Sequence, residues 1–431
     1  MKISMIGAGY VGLTSGAVFA TLGNTVWVVR RDREKIEKLK KGIIPIYEPG
    51  LSEIVKRNVK AGRLIPTTEY SQCVPFSDVV FIAVGTPEGR EGADLSQVYA
   101  AAEEIARNLK KGYTVIVDKS TVPPGTAEEI TEIINKHKRA GARFEVASSP
   151  EFLRQGNAVE DTTKPDRVVI GVNSSKAAKI LVKLHKPLRC PVVVTKVRSA
   201  EIIKLAANAY LSLRIGFIDQ IANLCEEMGA DVQDIIRGIG LDRRIGTHYW
   251  WPGMGYGGYC FPKDVKALAA LYKTSSQEDN LFSKLDELNE KRVERFALKI
   301  SEKIGALKGK LIGVLGLSSR HGTDDIRGSV PLNFIRVLLR SGAKIKAYDP
   351  MAQENAKVIM GSHVEFLNTP YDVAKNVDAL CVVTEWQEFR KLDLKKIKKL
   401  MKGNVLLDSK NIYTPEKVKK LGFTYLSTGR I

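Results

Sequence analysis

The stretch Lys2-Ile3-Ser4-Met5-Ile6-Gly7-Ala8-Gly9-Tyr10-Val11-Gly12 decides how the chain folds at its start. Five residues read as a short strand and run straight into G-x-G-x-x-G at the opening of a helix, the setting in which that pattern is informative. Gly7 makes the turn, Gly9 admits a pyrophosphate, and Gly12 lets helix and strand pack closely. The helix N-terminus then faces the phosphates with unpaired N–H groups. A second strand, Thr25 to Val29, completes the β-α-β unit. Ile3 to Leu22 carry no charge, yet four glycines and the strand that follows mark a buried strand, turn and helix rather than a leader or a membrane span. No other run approaches the roughly 20 apolar residues that a spanning helix needs, so no membrane partner is expected.

The end of the second strand departs from the usual pattern. An acidic residue there holds the ribose 2′-hydroxyl of NAD, whereas arginine suits the 2′-phosphate of NADP. The chain reads Val29-Arg30-Arg31-Asp32, with arginine in the acidic position and Asp32 two residues late. Two readings stay open: NADP is tolerated or preferred, or Arg30 stacks on adenine and NAD still binds. Further on, the apolar run Val79 to Val84 suits a parallel strand buried on both faces and ends in Gly85-Thr86-Pro87. Thr114 to Asp118 repeats the pattern and ends in Ser120-Thr121-Val122-Pro123, and Phe144 to Ala147 leads into Pro150-Glu151-Phe152-Leu153-Arg154. Loops at strand C-termini form the ligand crevice of open α/β sheets, which makes Thr86 and Thr121 cofactor or substrate contacts unless they only cap the next helices.

After two more β-like segments, Arg167 to Gly171 and Pro191 to Val194, the pattern turns helical. Ser199 to Met228 holds no proline and one internal glycine, with Ser199 and Gly229 suited to its ends. Such a helix is roughly 45 Å long, enough to join domains and offer a face to a partner subunit. Lys204 and Asn208, four apart, share one of its faces. Beyond it comes Pro252-Gly253-Met254-Gly255-Tyr256-Gly257-Gly258-Tyr259-Cys260-Phe261-Pro262-Lys263-Asp264, where four glycines flatten the backbone around one cysteine. A nearby cation favours a reactive thiolate, and Lys263 is the candidate; the plainer alternative is a glycine-rich surface turn. A helix from about Asn280 to Lys303 precedes Lys308-Gly309-Lys310, and a second α/β unit starts at Leu311 with later strands at Lys344 to Tyr348, Ala379 to Val383 and Asn404 to Leu407. The expected fold class is α/β: two Rossmann-like parallel-sheet domains joined by a long helix and a helical middle domain, divided 1–196, 197–305 and 306–431.

Composition narrows the function classes. Five widely scattered cysteines form neither a disulfide framework nor a C-x-x-C pair, so a reducing cytoplasm is expected. His137, His185, His248, His321 and His363 stand far apart and no zinc spacing occurs, so no metal is expected. The net charge of +19 raises nucleic acid as a partner, but Lys and Arg are spread along the whole chain rather than gathered in a patch. The charge reads as a heavily charged surface, and no nucleic-acid partner is expected.

With these residues in view, the chain resembles the nucleotide-sugar dehydrogenases of the UDP-glucose/GDP-mannose dehydrogenase family over nearly its whole length. The resemblance rests on Gly7-x-Gly9-x-x-Gly12, Gly85-Thr86-Pro87, Ser120-Thr121-Val122-Pro123, Pro150-Glu151-Phe152-Leu153-Arg154, Glu201-x-x-Lys204-x-x-x-Asn208, the cysteine loop through Asp264, and Thr323-Asp324-Asp325-Ile326-Arg327. It implies oxidation of a sugar C6 twice, alcohol to aldehyde to acid, with NAD as the family cofactor. It also implies a thiohemiacetal and then a thioester on Cys260, oxyanion stabilisation by Lys204 and Asn208, and water activation by Asp264 with Thr121 and Glu151. The acceptor of the first alcohol proton stays open between Lys204 and a water held by Asp264.

Fingerprint, loops and resemblance together make the cofactor contacts Gly7, Gly9, Tyr10, Val11, Gly12, Arg30, Lys35, Thr86, Thr121, Arg154, Lys263 and Arg327. The implied substrate contacts are Glu151, Phe152, Leu153, Lys204, Asn208, Tyr249, Trp250, Trp251, Pro252, Gly253, Gly257 and Arg320. Arg244 would reach a neighbouring subunit's sugar across a homodimer, or higher homo-oligomer, built on the long helix. The Gly-Tyr-Gly-Gly-Tyr-Cys loop points to UDP-glucose as substrate. A UDP-N-acetylhexosamine dehydrogenase is the runner-up, and a non-catalytic nucleotide-sugar sensor is the rival from another class; intact Cys260, Lys204, Asn208 and Asp264 argue against the sensor. Four residues depart from the family pattern: Arg30 for Asp, Ser149 for Asn, Gln155 for Glu and Arg320 for Lys, the last keeping charge while changing geometry.

Overall fold

The structure, a computed structural model, describes residues 1–89, 92–273 and 280–430. It divides into two compact units, Met1–Ala207 and Asn208–Ile431. Ile431 itself, the expected end of the third domain, lies outside the described residues.

The first unit is built on β1 (Lys2–Ile6), β2 (Thr25–Val29), β3 (Leu64–Thr67), β4 (Val79–Ile82), β7 (Gly112–Asp118), β8 (Ala142–Ser148), β9 (Val168–Gly171) and β10 (Val192–Thr195), with a small separate hairpin of β5 (Glu88–Gly89) and β6 (Gly92–Ala93). The large sheet runs β10-β9-β8-β7-β4-β1-β2-β3. β1 lies parallel between β2 and β4, so the strand order reverses at its end and Gly7 sits at the switch point. The helix Tyr10–Thr21 that follows is buried from Gly12 to Ala20, which explains why so long a stretch carries no charge. Every residue of β4 is buried, as a strand covered on both faces should be.

The sheet is not parallel throughout. β8 and β9 meet antiparallel at Ser148 and Gly171. β9, with its parallel neighbour β10, therefore runs opposite to the rest of the sheet.

The second unit holds a six-stranded parallel sheet of β11 (Leu311–Leu315), β12 (Lys344–Tyr348), β13 (Val364–Phe366), β14 (Ala379–Val382), β15 (Val405–Asp408) and β16 (Thr424–Ser427), in the order β13-β12-β11-β14-β15-β16. The helix Leu281–Ile304 packs Val293, Phe296, Ala297 and Ile300 with Phe334 and Ile335 of the helix Val330–Arg340. Asn280 is its N-cap, accepting from the backbone N–H of Phe282 and Ser283 at 3.1 and 3.0 Å. Phe389, Tyr413 and Val418 belong to a separate core cluster of the same unit. The long helix spans Val197–Met228, beginning two residues before Ser199, and ends before Gly229 at φ +77°. Together with Val232–Gly240 and Phe261–Lys273 it forms the helical middle stretch of this α/β chain.

Candidate active site

The fingerprint glycines have separate steric reasons to be glycine. A Cβ on Gly7, at φ +116°, would stand 2.1 Å from the Ala83 carbonyl oxygen, and one on Gly12 would stand 2.1 Å from that of Gly7. Gly9 differs: a Cβ there would meet nothing within 4 Å. Packing does not require that glycine, so the open space in front of it is room for a ligand to approach the backbone. Gly9 also caps the helix without a side-chain bond, and Tyr10, Val11 and Gly12 follow in its first turn. That bare N-terminus is suited to a phosphate, and the residues fit a dinucleotide.

Around this turn, Arg30 folds back so that its Nη1 donates to the Ala8 carbonyl at 3.3 Å. Asp32 caps the helix Arg33–Lys40, accepting from Lys35 N at 3.0 Å, and the Lys35 ammonium lies 3.5 Å from the same carboxylate. The two neighbouring strand-end loops are stitched together: Thr86 Oγ1 donates to the Thr121 carbonyl at 2.9 Å, and Ser120 Oγ to the Val84 carbonyl at 3.0 Å.

In the same unit, Glu151 is buried between a cation and a backbone donor. Its Oε1 lies 3.1 Å from Lys204 Nζ, and its Oε2 accepts from Leu153 N at 2.6 Å. The Phe152 ring lies beneath Arg167 at 3.7 Å and Lys204 at 5.4 Å. Arg154 is engaged by Asp161, with Nη2 to Oδ1 at 2.6 Å. Lys119, a residue sequence reading passed over, joins this group: burial pushes its ammonium down to about 8, helped by Lys204 and opposed by Glu151. Burial likewise raises Asp118 to about 8.

The second unit builds the cysteine loop on fixed supports. Asn289 accepts from Tyr256 N at 2.8 Å and donates to the Tyr256 carbonyl at 3.0 Å. Asp219 accepts from Gly253 N at 2.7 Å, and Arg292 Nε donates to the Gly253 carbonyl at 2.8 Å. Pro252 and Gly253 are buried, and a Cβ on Gly257 would stand 2.5 Å from Val330 Cγ2. Cys260, half-buried, immediately precedes the helix Phe261–Lys273 and accepts from Asp264 N at 2.9 Å through its carbonyl. Asp264 is wholly buried; Lys263 Nζ stands 2.7 Å from its Oδ1, and Asn208 Nδ2 donates to its Oδ2 at 2.5 Å. Lys263 thus turns its ammonium to Asp264, and Arg327 is a cation that couples electrostatically to Cys260.

Aromatic residues of the same unit lie before the cysteine. Tyr249, at φ +68°, brings its ring within 4.2 Å of Trp251. Arg320 lies 5.6 Å from the Trp251 ring, while Trp250 donates to the Gly246 carbonyl at 2.9 Å and carries Arg214 on its face at 3.9 Å. Arg244 is largely exposed and paired with Asp242 at 2.7 Å. Two carboxylates hold the loops from a distance in sequence. Glu201 accepts from Gly125 N and Ala127 N at 2.8 and 3.0 Å, and Glu48 from Gly156 N and Ala158 N at 2.9 and 2.8 Å. Glu201 was legible as part of a motif but not as a cap; Glu48 carried no signal.

A glycine fingerprint at the switch point of one mostly parallel sheet, with a second, parallel sheet in the same chain, marks a dinucleotide-binding protein of two nucleotide-type folds. Three parts of the chain match models of one family: residues 1–189 its NAD-binding domain, 198–291 its central domain and 313–415 its UDP-binding domain. A UDP-glucose 6-dehydrogenase of Rhizobium meliloti is 47% identical, with all of both chains covered. One of Bacillus subtilis is 44% identical, covering all of this chain and 93% of the relative. The solved UDP-glucose dehydrogenase of the hyperthermophilic archaeon Pyrobaculum islandicum superposes with a TM-score of 0.93 at 36% identity, covering 100% of this chain and 98% of that one. The chain belongs to the UDP-glucose/GDP-mannose dehydrogenase family, whose members are NAD-dependent oxidoreductases.

Proposed function

We propose that the protein oxidises UDP-glucose at C6 in two steps to UDP-glucuronate; its relatives are named UDP-glucose 6-dehydrogenases. One observation carries the reading: Cys260 heads a helix whose first turn holds Asp264, wholly buried and bonded to Asn208. A buried carboxylate anchored beside a loop cysteine is a costly arrangement that a surface turn has no use for. The bound nicotinamide supplies the hydride acceptor for each oxidation. Cys260 attacks the aldehyde carbon through its thiolate, and the carbonyl oxygen becomes an oxyanion, to which Lys204 and Asn208 donate. Oxidation of the thiohemiacetal gives a thioester, and water held by Asp264 with Thr121 and Glu151 cleaves it. Glu151, whose Oε1 lies 3.1 Å from Lys204 Nζ, keeps that lysine's ammonium aimed.

NADP is accepted alongside NAD in this proposal, because the second strand ends in Arg30 and the carboxylate of Asp32 is committed to capping Lys35 N. Domains at 1–196, 197–305 and 306–431 divide the work between cofactor, cysteine loop and UDP. The five free thiols suit the cytoplasm. A homodimer forms through the long helix, where Tyr210, Phe217 and Leu224 recur every seven residues and stand 57%, 48% and 51% exposed in the single chain. Tyr210→Glu with Phe217→Glu is expected to yield monomers by light scattering, and an unchanged mass refutes that interface. The function is tested by comparing UDP-glucose, UDP-N-acetylmannosamine and GDP-mannose, each with NAD and with NADP. UDP-glucose should give the highest kcat/KM. A higher value for an N-acetylated sugar replaces the substrate, and turnover of none of them favours the sensor.

A further inference from the structure

Within the second unit, the loop that carries Cys260 is clamped by the loop Ile326 to Ser329. Gly258 N donates to the Gly328 carbonyl at 2.9 Å. A Cβ on Gly328, at φ +58°, would stand 2.5 Å from the Gly258 carbonyl oxygen, so the two backbones touch. Arg327 rides on the clamping loop. Its Nε and Nη2 donate to Asp325 Oδ1 and Oδ2 at 2.9 and 2.7 Å, and its guanidinium lies 4.1 Å from the ring centre of Tyr259, the residue before the cysteine. Burial works against the Arg327 charge, but Asp325 and the negative forms of Tyr259 and Cys260 outweigh it and raise its pKa. That interaction is mutual, since a cation that is favoured by a thiolate also favours the thiolate.

Lys263 and Asp264 pair with each other, Arg320 stands over Trp251, and Asp286 and Glu290 act on the Tyr256 hydroxyl. We propose that Arg327 is a positioning residue for the nucleophile: held by Asp325 and stacked on Tyr259, its guanidinium supplies the field in which Cys260 carries its thiolate, and Asp325 sets how much of that charge the sulfur feels. This role is distinct from the dinucleotide contact implied for Arg327. Its catalytic consequence rests on Cys260 being the nucleophile, whereas the charge effect itself is independent of any substrate.

The test is therefore made on the substrate-free, full-length protein. Iodoacetamide modification of the Cys260 peptide is followed by mass spectrometry across pH 6 to 10. Arg327→Met should move the inflection up by about one pH unit and slow modification at pH 7 about tenfold. Arg327→Lys keeps the charge and should restore most of the rate. Asp325→Asn removes the opposing charge and should move the inflection down, the reverse direction. Coincident profiles for wild type and Arg327→Met with matched melting temperatures overturn the proposal. Should Arg327→Met fail to fold, Arg327→Lys and Asp325→Asn decide it, and an upward shift in Asp325→Asn overturns it. A failed sugar assay with these shifts intact would sink the proposed reaction and leave the charge device standing.

Discussion

Both large sheets end a central strand on a glycine that no other residue can replace, and then do different things with it. Gly7 after β1 has φ +116° and would push a Cβ to 2.1 Å from the Ala83 carbonyl oxygen. Gly316 after β11 has φ +101° and would push one to 2.5 Å from Thr384 Cβ. In the first unit the helix opens at once, at Tyr10, with a cap that fills none of its N–H groups by a side chain. In the second the helix waits until Val330, and Ser329 caps it by accepting from Leu332 N at 3.3 Å. One helix has a glycine N-cap with no side-chain bond; the other is capped by a serine hydroxyl. The intervening loop of the second unit holds the Cys260 loop instead, through Gly328 and Gly258. A shared strand-and-glycine start therefore does not make two equivalent nucleotide sites.

The largest effect should come at the Cys260 loop of the second unit. Cys260→Ser is expected to lower four-electron turnover roughly a thousandfold or more while nucleotide binding by calorimetry is spared. Full turnover by that variant would remove the cysteine from the mechanism. Next come the two turn glycines. Gly7→Ala and Gly316→Ala should each cost about 3 kcal/mol or more in urea unfolding, because a positive φ and a backbone-range clash are combined. A near-neutral result at either site would mean that its turn is not held as described.

A pH effect separates the units further. His185 is buried against Phe19, and burial, with Lys119, pushes it down to about 4 from 6.5. The unfolded chain binds its proton near 6.5 and the folded one near 4, so stability falls as pH drops through that window, by up to about 3 kcal/mol. His185→Leu should flatten the melting temperature of the first unit between pH 6.5 and 4; an unchanged acid slope would place the sensitivity elsewhere. Gly9→Ala sharpens the contrast from the ligand side. With nothing within 4 Å of the new methyl, stability should stay within about 0.5 kcal/mol while dinucleotide affinity drops about tenfold or more. Equal affinity would mean that the space in front of Gly9 is not where the pyrophosphate lies. The smallest change is Ser329→Ala, about 1 kcal/mol of stability in the second unit with no loss of dinucleotide affinity.

What the sequence reveals of this contrast follows from how local each signal is. β1, β2 and β12 stand at the residues read from their patterns because turn glycines flank them, Gly7 after β1, Gly23 before β2 and Gly342 before β12. The fingerprint was legible for the same reason, and so was the cysteine loop. The antiparallel β9 was not, since a strand's direction is not written in its own residues. Nor were the supports of the site: Glu48 holds Gly156, Asn289 holds Tyr256, and Arg292 holds Gly253, each across a long separation that leaves no periodicity. Lys263 was read as the thiolate's cation because it is near in sequence. Arg327, far in sequence and also electrostatically coupled to Cys260, left no such signal.

The central claim is that Cys260 retains the aldehyde until a second oxidation is complete. The most direct test is the yield of reduced nicotinamide per UDP-glucose consumed, measured with product identification by mass spectrometry. Two reduced cofactors per sugar with UDP-glucuronate formed is the predicted result. One per sugar, with free aldehyde released, would contradict the thioester route and leave Cys260 without the role assigned to it.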